Sequence, residues 1–373
     1  MHAIAIAAHR AAQRRSCLLA STILTSLMLP VSSPPALAQQ SASPDLNLPE
    51  VVVSRPGARA RPAAPRSEPQ STAARTLVAA PEADATVVYS PTAIPTLARD
   101  VASSVTVITA ADIAREQRRT VPDALANVPG LNIVQSGGPG AQTSVFMRGT
   151  NSNQVKVLID GIDVSDPSNP NRSFDFGQLL TADIERIEVL RGPQSGLYGA
   201  DAIGGVISII TKKGEGPPKA TATVEGGSFG TFNQTASLSG GDQRSNYAFT
   251  AAHFRVASTP VTPLELLPPG RPRINDSYEN WTYSTKLGIN LTDNLALNWA
   301  GRFTDATLHF TGDDFSVFPS VPNAIQSIQA VHQFYQRGEA VLSSLDGRLT
   351  NYFGVNYTNT WNWNKAPDPA APG

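Results

Sequence analysis

The most constraining feature of this chain is an alternation of apolar and polar side chains that runs well past the length of an ordinary soluble strand. Trp281, Tyr283, Leu287, Ile289 and Leu291 fall on one parity, and Thr282, Ser284, Lys286, Gly288 and Asn290 on the other. Leu295, Leu297, Trp299 and Phe303 oppose Asn294, Asn298, Arg302 and Thr304. Leu349, Phe353, Val355, Tyr357, Trp361 and Trp363 alternate with Thr350, Tyr352, Gly354, Asn356, Thr358, Thr360, Asn362 and Asn364. A period of two over ten or more residues means strands with one apolar and one polar face. Soluble sheets use strands of ~5–6 residues, whereas a tilted outer-membrane barrel needs ~9–11.

The connections agree with a barrel. Leu291 to Asn294 and Ser344 to Gly347 read as tight turns, while Ala257–Asp276 and Phe310–Ile328 read as long, Pro-rich loops. Short turns at one rim and long loops at the other are the barrel asymmetry, and Trp281, Trp361 and Trp363 sit near strand ends, where aromatic girdles lie. The strands are expected near 219–227, 231–240, 245–256, 279–291, 294–305, 331–343 and 347–363. A soluble β-sandwich binding protein and a passive or plugged porin-like channel are the competing architectures.

The 41% hydrophobic and 16% charged composition falls below the charge content of typical soluble domains, about 25%. A net charge of −1 argues against a nucleic-acid partner. Arg10, Arg14 and Arg15 precede an apolar run from Cys17 to Leu29, followed by Ala36-Leu37-Ala38. That order is a secretory signal, so residues 1–38 are expected to be a cleaved signal peptide. The chain's one cysteine, Cys17, lies within it, which excludes thiolate metal sites, cysteine nucleophiles and a disulfide scaffold in the exported protein.

Residues 39–83 hold Pro56, Pro62, Pro65, Pro69 and Pro81 with Arg55, Arg59, Arg61, Arg66 and Arg75. Such a segment buries too little surface to offset its ordering entropy and reads as an extended periplasmic arm. Within it, Leu48-Pro49-Glu50-Val51-Val52-Val53-Ser54 is a β-branched run suited to pairing with another protein's sheet edge. Asp84-Ala85-Thr86-Val87-Val88-Tyr89-Ser90 has the same texture.

From about 84 to 214 the pattern is that of a small α+β domain. Val105–Thr109 is a strand, and Thr109 caps a helix beginning near Ala110 with Asp112 in its first turn. A second helix starts at Thr120-Val121-Pro122-Asp123 and is expected to run to Val128-Pro129-Gly130. Short strands follow at 132–135, 144–148, 156–159, 187–190 and 206–211, joined by glycine turns. No histidine falls between His9 and His253, so a histidine-based triad or metal site is excluded there. Asp160, Asp163 and Asp166 lack the rest of a calcium loop, and Gly192-Pro193-Gln194-Ser195-Gly196 does not fit a nucleophile elbow. No catalytic residue, cofactor or metal site is expected, and the chain does not read as an enzyme.

The ordered motifs of this domain carry a resemblance. They are Val128-Pro129-Gly130-Leu131, Phe146-Met147-Arg148-Gly149-Thr150-Asn151 and Val157-Leu158-Ile159-Asp160-Gly161. Ile184-Glu185-Arg186-Ile187-Glu188-Val189-Leu190-Arg191-Gly192-Pro193 and Leu197-Tyr198-Gly199-Ala200-Asp201-Ala202-Ile203-Gly204-Gly205-Val206-Ile207 complete them. Residues 84–214 resemble the plug domain of TonB-dependent outer-membrane receptors, and 215–373 resembles the first strands of their barrel. Within that family Gln135-Ser136-Gly137-Gly138 and Asp201 to Val206 resemble the cobalamin receptor, a likeness shared in large part with ferric-siderophore receptors.

The resemblance implies a Gram-negative outer-membrane receptor for energised uptake of a cobalamin-like or ferric-siderophore ligand. Its partners would be TonB with the inner-membrane energising complex, the metal chelate or cobalamin, and outer-membrane lipid. The TonB box is expected at Leu48–Ser54, with Asp84–Ser90 as the alternative. Matching the cobalamin receptor's plug carries ligand contact onto Gln142, Ser144 and Asn151, with Asn169 and Pro170 in a further apical loop. Two departures stand out. Gln142 replaces an apolar residue, and the cobalamin receptor's calcium-binding aspartates are not evident before Asp276. Arg148 and Arg191 take the family role of seating the plug against wall carboxylates. Seven strands cannot encircle such a plug, so about fifteen more, in roughly 300 further residues, are expected beyond Gly373.

Overall fold

The computed structural model describes residues 87–88, 96–97, 100–101, 103–166, 169 and 171–366. The signal sequence, the arm, the run Leu48–Ser54 and Pro170 lie outside the described residues, as does all of Asp84–Ser90 except Val87 and Val88. Those two form strand β1 (Val87–Val88), paired antiparallel with β2 (Thr96–Leu97), and Val88 is fully buried.

The α+β region is built on a five-stranded mixed sheet. Strand β3 (Ser104–Thr109) leads into helix α1 (Ala110–Arg115), then α2 (Val121–Leu125) and the hairpin β4 (Leu131–Gln135)–β5 (Thr143–Met147). Strands β6 (Val155–Ile159), β7 (Ile162–Asp163), β8 (Ile184–Arg191) and β9 (Gly205–Thr211) complete it, with a single-turn helix α3 (Ser195–Tyr198) before the last. The sheet order is β3-β8-β9-β6-β7, and β6 runs parallel to β9. Ile187, Val189, Ile207 and Val157 fill its core with the side chains of α2 and Phe176. This is water-soluble logic, apolar side chains inside.

Thr109 caps α1 as expected. Its hydroxyl accepts from the Asp112 N–H while the Asp112 carboxylate accepts from the Thr109 N–H, closing a capping box. Helix α2 starts at its Thr120 cap but stops at Leu125, three residues before the expected Val128. Val128 instead donates to Leu125 O in a tight turn, and Gly130 (φ +81°) takes the left-handed conformation that reverses the chain into β4.

The rest is a single antiparallel meander of seven strands, in chain order throughout. They are β10 (Lys219–Gly227), β11 (Thr231–Gly241), β12 (Ser245–Thr259), β13 (Asp276–Thr292), β14 (Leu295–Asp314), β15 (Val321–Ser344) and β16 (Leu349–Lys365). Here the logic inverts. Asn280 (0% exposed), Thr282, Ser284, Arg302 (4%) and Thr304 are buried on the inner face, while Trp281, Tyr283, Leu287, Ile289 and Phe303 are exposed on the outer. His253 stacks on Trp281 with centroids 3.9 Å apart, and His332 packs on Trp361. No helix among the described residues is long and apolar enough to cross a membrane, which says nothing of strands.

One loop differs from expectation. The stretch 310–328 was read as a Pro-rich loop, but β14 continues to Asp314 and β15 begins at Val321, leaving only 315–320 as connection. Thr311 pairs with Gln326 and Gly312 with Ile325, and the register shifts between Gly312 and Asp314. Pro322 sits in the second position of its strand, next to that shift, where a missing N–H is tolerated. The 260–275 loop is long, as expected, and the turns 242–244, 293–294 and 345–348 are short.

Candidate functional site: the cavity between the α+β region and the inner wall

The α+β region meets the wall through polar contacts. Arg302 Nε lies 3.0 Å from Asp183 Oδ2, with both side chains almost wholly buried. Lys286 Nζ reaches Asp160 Oδ1 at 2.7 Å and donates to Thr211 O. Arg119 makes a two-pronged contact with Glu225, 2.5 Å to each carboxylate oxygen. A neutral network lies between these pairs. Tyr278 Oη donates to Gln178 Oε1 at 2.8 Å, Asn280 Nδ2 donates to Gln178 O at 3.0 Å, and Gln178 Nε2 donates to Gly140 O. A Cβ at Gly140 (φ +80°) would fall 2.0 Å from the Tyr278 ring, so only glycine lets this loop touch the wall.

Above that contact layer a cavity of about 820 Å³ opens, comparable to small-molecule sites. Its floor comes from two loops of the α+β region. The β4–β5 loop is closed by Ser136 N donating to Gln142 O and by Gln135 Nε2 donating to Gly138 O. In the 164–175 loop, Asn169 Nδ2 donates to Ser173 Oγ, and Asp175 Oδ1 accepts from the N–H groups of Thr143 and Gly177. Burial pushes the Asp175 carboxyl above its usual range, with those two N–H groups pulling the other way. The wall contributes Gln329, Gln333 and Tyr335 from β15, and Thr360, Asn362 and Asn364 from β16. These are inward positions of facing strands, Gln329 opposite Asn364 and Gln333 opposite Thr360. Asn362 Nδ2 also bridges to Asp166 Oδ2 at 3.3 Å, tying wall to loop.

Of the residues named from sequence, Gln142 and Asn169 line this cavity. Ser144 lies in β5 opposite Val134, and Asn151 caps a short turn at 152–154; neither lines it. Asp166, Asp175 and Gln178 were not singled out for the cavity. Their signal was present only for the wall, where the polar parity of Thr360, Asn362 and Asn364 marks the face that turns inward.

The contacts of Arg191 lie within the α+β region, Nη1 donating to Pro129 O and Nη2 to Thr106 Oγ1. Arg148, in the left-handed region (φ +51°), lies beside Gly130 and Gly192. The ion pairs that cross to the described wall are those of Asp183, Asp160 and Arg119, in two of which the wall supplies the cation and the inner region the carboxylate.

Residues 98–206 match the TonB-dependent Receptor Plug Domain. Among solved structures, P. aeruginosa FpvA bound to heterologous pyoverdines superposes with a TM-score of 0.58 at 18% identity, covering 76% of this chain and 37% of that one. The ferripyoverdine receptor of the Pseudomonas aeruginosa outer membrane, bound to ferripyoverdine, gives 0.52 at 16% identity, covering 75% and 41%. The chain therefore spans well under half the length of these structures. Residues 98–206 thus match a TonB-dependent receptor plug domain, and the seven strands after them share the fold of the wall strands in these solved structures.

Proposed function

We propose that this chain is the plug-bearing part of a Gram-negative outer-membrane receptor that takes up a scarce small molecule with energy delivered through TonB. The observation that carries the reading is the plug domain held by ion pairs against an inward polar face, while the outer face of the same strands is apolar. A folded domain seated this way occludes a passive pore, so passage requires its displacement. The reading divides the chain into a signal peptide (1–38), an arm with the TonB box (39–83), a plug (84–214) and wall strands (215–373).

Leu48–Ser54 is the proposed TonB box. The alternative run is less available for strand addition, because Val88 is buried and already pairs with Thr96. The ligand, a metal chelate or cobalamin, would be held first by Gln142 and Asn169. Ser144, Asn151 and Pro170 complete the proposed ligand set, on the family match alone. Arg148 and Arg191 are proposed to hold the plug against carboxylates of wall strands other than these seven.

The test uses the full-length receptor in cells. Val52→Pro removes a ladder donor and should abolish uptake while surface binding of the ligand persists. Uptake that survives Val52→Pro and stops with Val88→Pro would assign the box to the second run, and uptake independent of TonB would refute the reading.

A further inference from the structure

The charge and hydrogen-bonding character of the cavity point to the class of ligand. Among the described residues its lining contains Asp166, Asp175 and Asp276 and no lysine, arginine or histidine. Asp276 is buried, and its Oδ1 accepts from both the N–H and the hydroxyl of Thr311. Arg172, exposed on the floor loop, does not line the cavity, and Arg302 does not line it either and is committed to Asp183. Arg273, on the neighbouring 260–275 loop, is turned to Thr262 O. The remaining polar lining is neutral amide and hydroxyl, notably Gln142, Asn169, Gln329 and Asn362.

We propose that this cavity selects neutral or cationic ligands rich in hydrogen-bonding groups and rejects multiply anionic ones. The reasoning is electrostatic. An anionic chelate held against this floor and these strands gives up hydration without meeting a cation from them, and each carboxylate adds like-charge repulsion across a partly desolvated space. A cation or a neutral ligand studded with carbonyl, amide and hydroxyl groups finds donors and acceptors along both floor and wall. Because amides offer both, the β15–β16 ladder matches such a surface without a charged partner. Tris-catecholate and polycarboxylate ferric chelates are therefore excluded from the class, and trihydroxamate-type or corrinoid-type ligands fall within it. This inference rests on the uptake reading above, and its test is arranged so that each can fail alone.

The first arm needs no ligand. Residues 18–373 contain no cysteine, so Gln142→Cys places a single thiol in this part of the receptor, and the parent receptor carried through the same labelling subtracts any thiol elsewhere. Its rate of modification by a trimethylammonium-bearing thiosulfonate, divided by that of a sulfonate-bearing one, reads the local potential. The ratio should exceed that at the exposed reference Ser228→Cys by about tenfold. Adding Asp166→Asn with Asp276→Asn, which keeps one acceptor oxygen at each position, should lower it at least about threefold. A ratio equal to the reference, or insensitive to the two aspartates, overturns the proposal.

The second arm measures binding of three ferric chelates by receptor-bearing outer-membrane vesicles. The probes are a trihydroxamate with a free amine (cationic), its N-acetylated form (neutral) and a tris-catecholate (trianionic). The cationic and neutral forms should each bind at least about tenfold more tightly than the trianion. Tight binding of the trianion overturns the proposal. If none of the three binds while the thiol ratio holds, charge selection by the cavity stands and the ferric-chelate reading of the function fails.

Discussion

The plug and the wall distribute their apolar side chains in opposite ways. In the plug sheet, Ile187, Val189 and Ile207 are wholly buried, and the buried charged residue Glu188 is paired with Arg186. In the wall, Trp281, Leu287 and Ile289 face out, and the buried residues include Asn280, Thr282 and Arg302 beside the apolar Phe254, Tyr278 and Leu308. The difference teaches that burial alone does not define a core. What each face is removed from, water or hydrocarbon, decides which side chains are stable there.

The largest effect should come where the two regions meet. Arg302→Met leaves Asp183 as a buried carboxylate without its cation, which should weaken the plug's seating by about 3–5 kcal/mol. Limited proteolysis of the plug in outer-membrane vesicles would report the loss. Adding Asp183→Asn should recover much of it, and failure to do so would mean the pair itself does not hold the plug.

Next, Ile187→Ala in the plug core should cost about 2–5 kcal/mol, with hydrogen exchange in β8 and β9 accelerating accordingly. The matched change Ile289→Ala on the outer wall should leave exchange in β13 nearly unchanged, because that side chain has lost no water-free packing partners of comparable density. Equal effects would erase the contrast between the regions.

Leu287→Lys tests the solvent of the outer face. A cation there should cost about 2–4 kcal/mol in lipid vesicles if the position lies at mid-depth, read from denaturant-induced unfolding. A soluble sheet would accept the lysine with little change, and that result would remove the inverted logic altogether.

Smaller effects sharpen the water-soluble side. Thr109→Ala removes the α1 cap and should cost about 1 kcal/mol of plug stability. Smallest of all is a pH effect at the same cap. The Thr109 hydroxyl and N–H hold the Asp112 carboxyl below its ordinary value, with Arg115 helping. Its contribution is therefore full above the ordinary carboxylate range near about 4 and fades as pH falls through the depressed value. Asp112→Asn should flatten that part of the plug's acid titration in hydrogen exchange.

The wall was readable in the sequence because its period of two is imposed by solvent on both faces of every strand. Helices α1 and α2 were readable at their starts, where Thr109 and Thr120 cap, but the end of α2 was set by a turn around Leu125 that no residue type announces. Strands β1, β2 and β7, two residues each, are too short to carry a period. The prolines at 319 and 322 suggested a long loop, yet ladder pairing across Thr311–Gln326 outweighed them. Of the cavity, Gln142 and Asn169 came from the family match. Asp183 and Arg302 were invisible as a pair because they lie 119 residues apart and meet only when the plug is in place.

The length of the wall strands has a consequence for how capture and passage are divided. Strand β15 has 24 residues, which at ~3.3 Å per residue and a tilt near 45° gives a height of about 55 Å. The apolar band of such a wall is only ~25 Å tall. Gln329 stands fifteen residues above the end of the strand at Ser344, about 35 Å over the short-turn rim. In the proposed outer-membrane setting the cavity would lie at the level of the outer headgroups or beyond, reached from outside without descending into the bilayer. On the proposed uptake reading, a ligand held there would complete its equilibrium step near the surface, with nearly the whole depth of the membrane still to be crossed past a seated plug. Such a division would let affinity be tuned by the rim of the molecule while the demand for work is set by its interior.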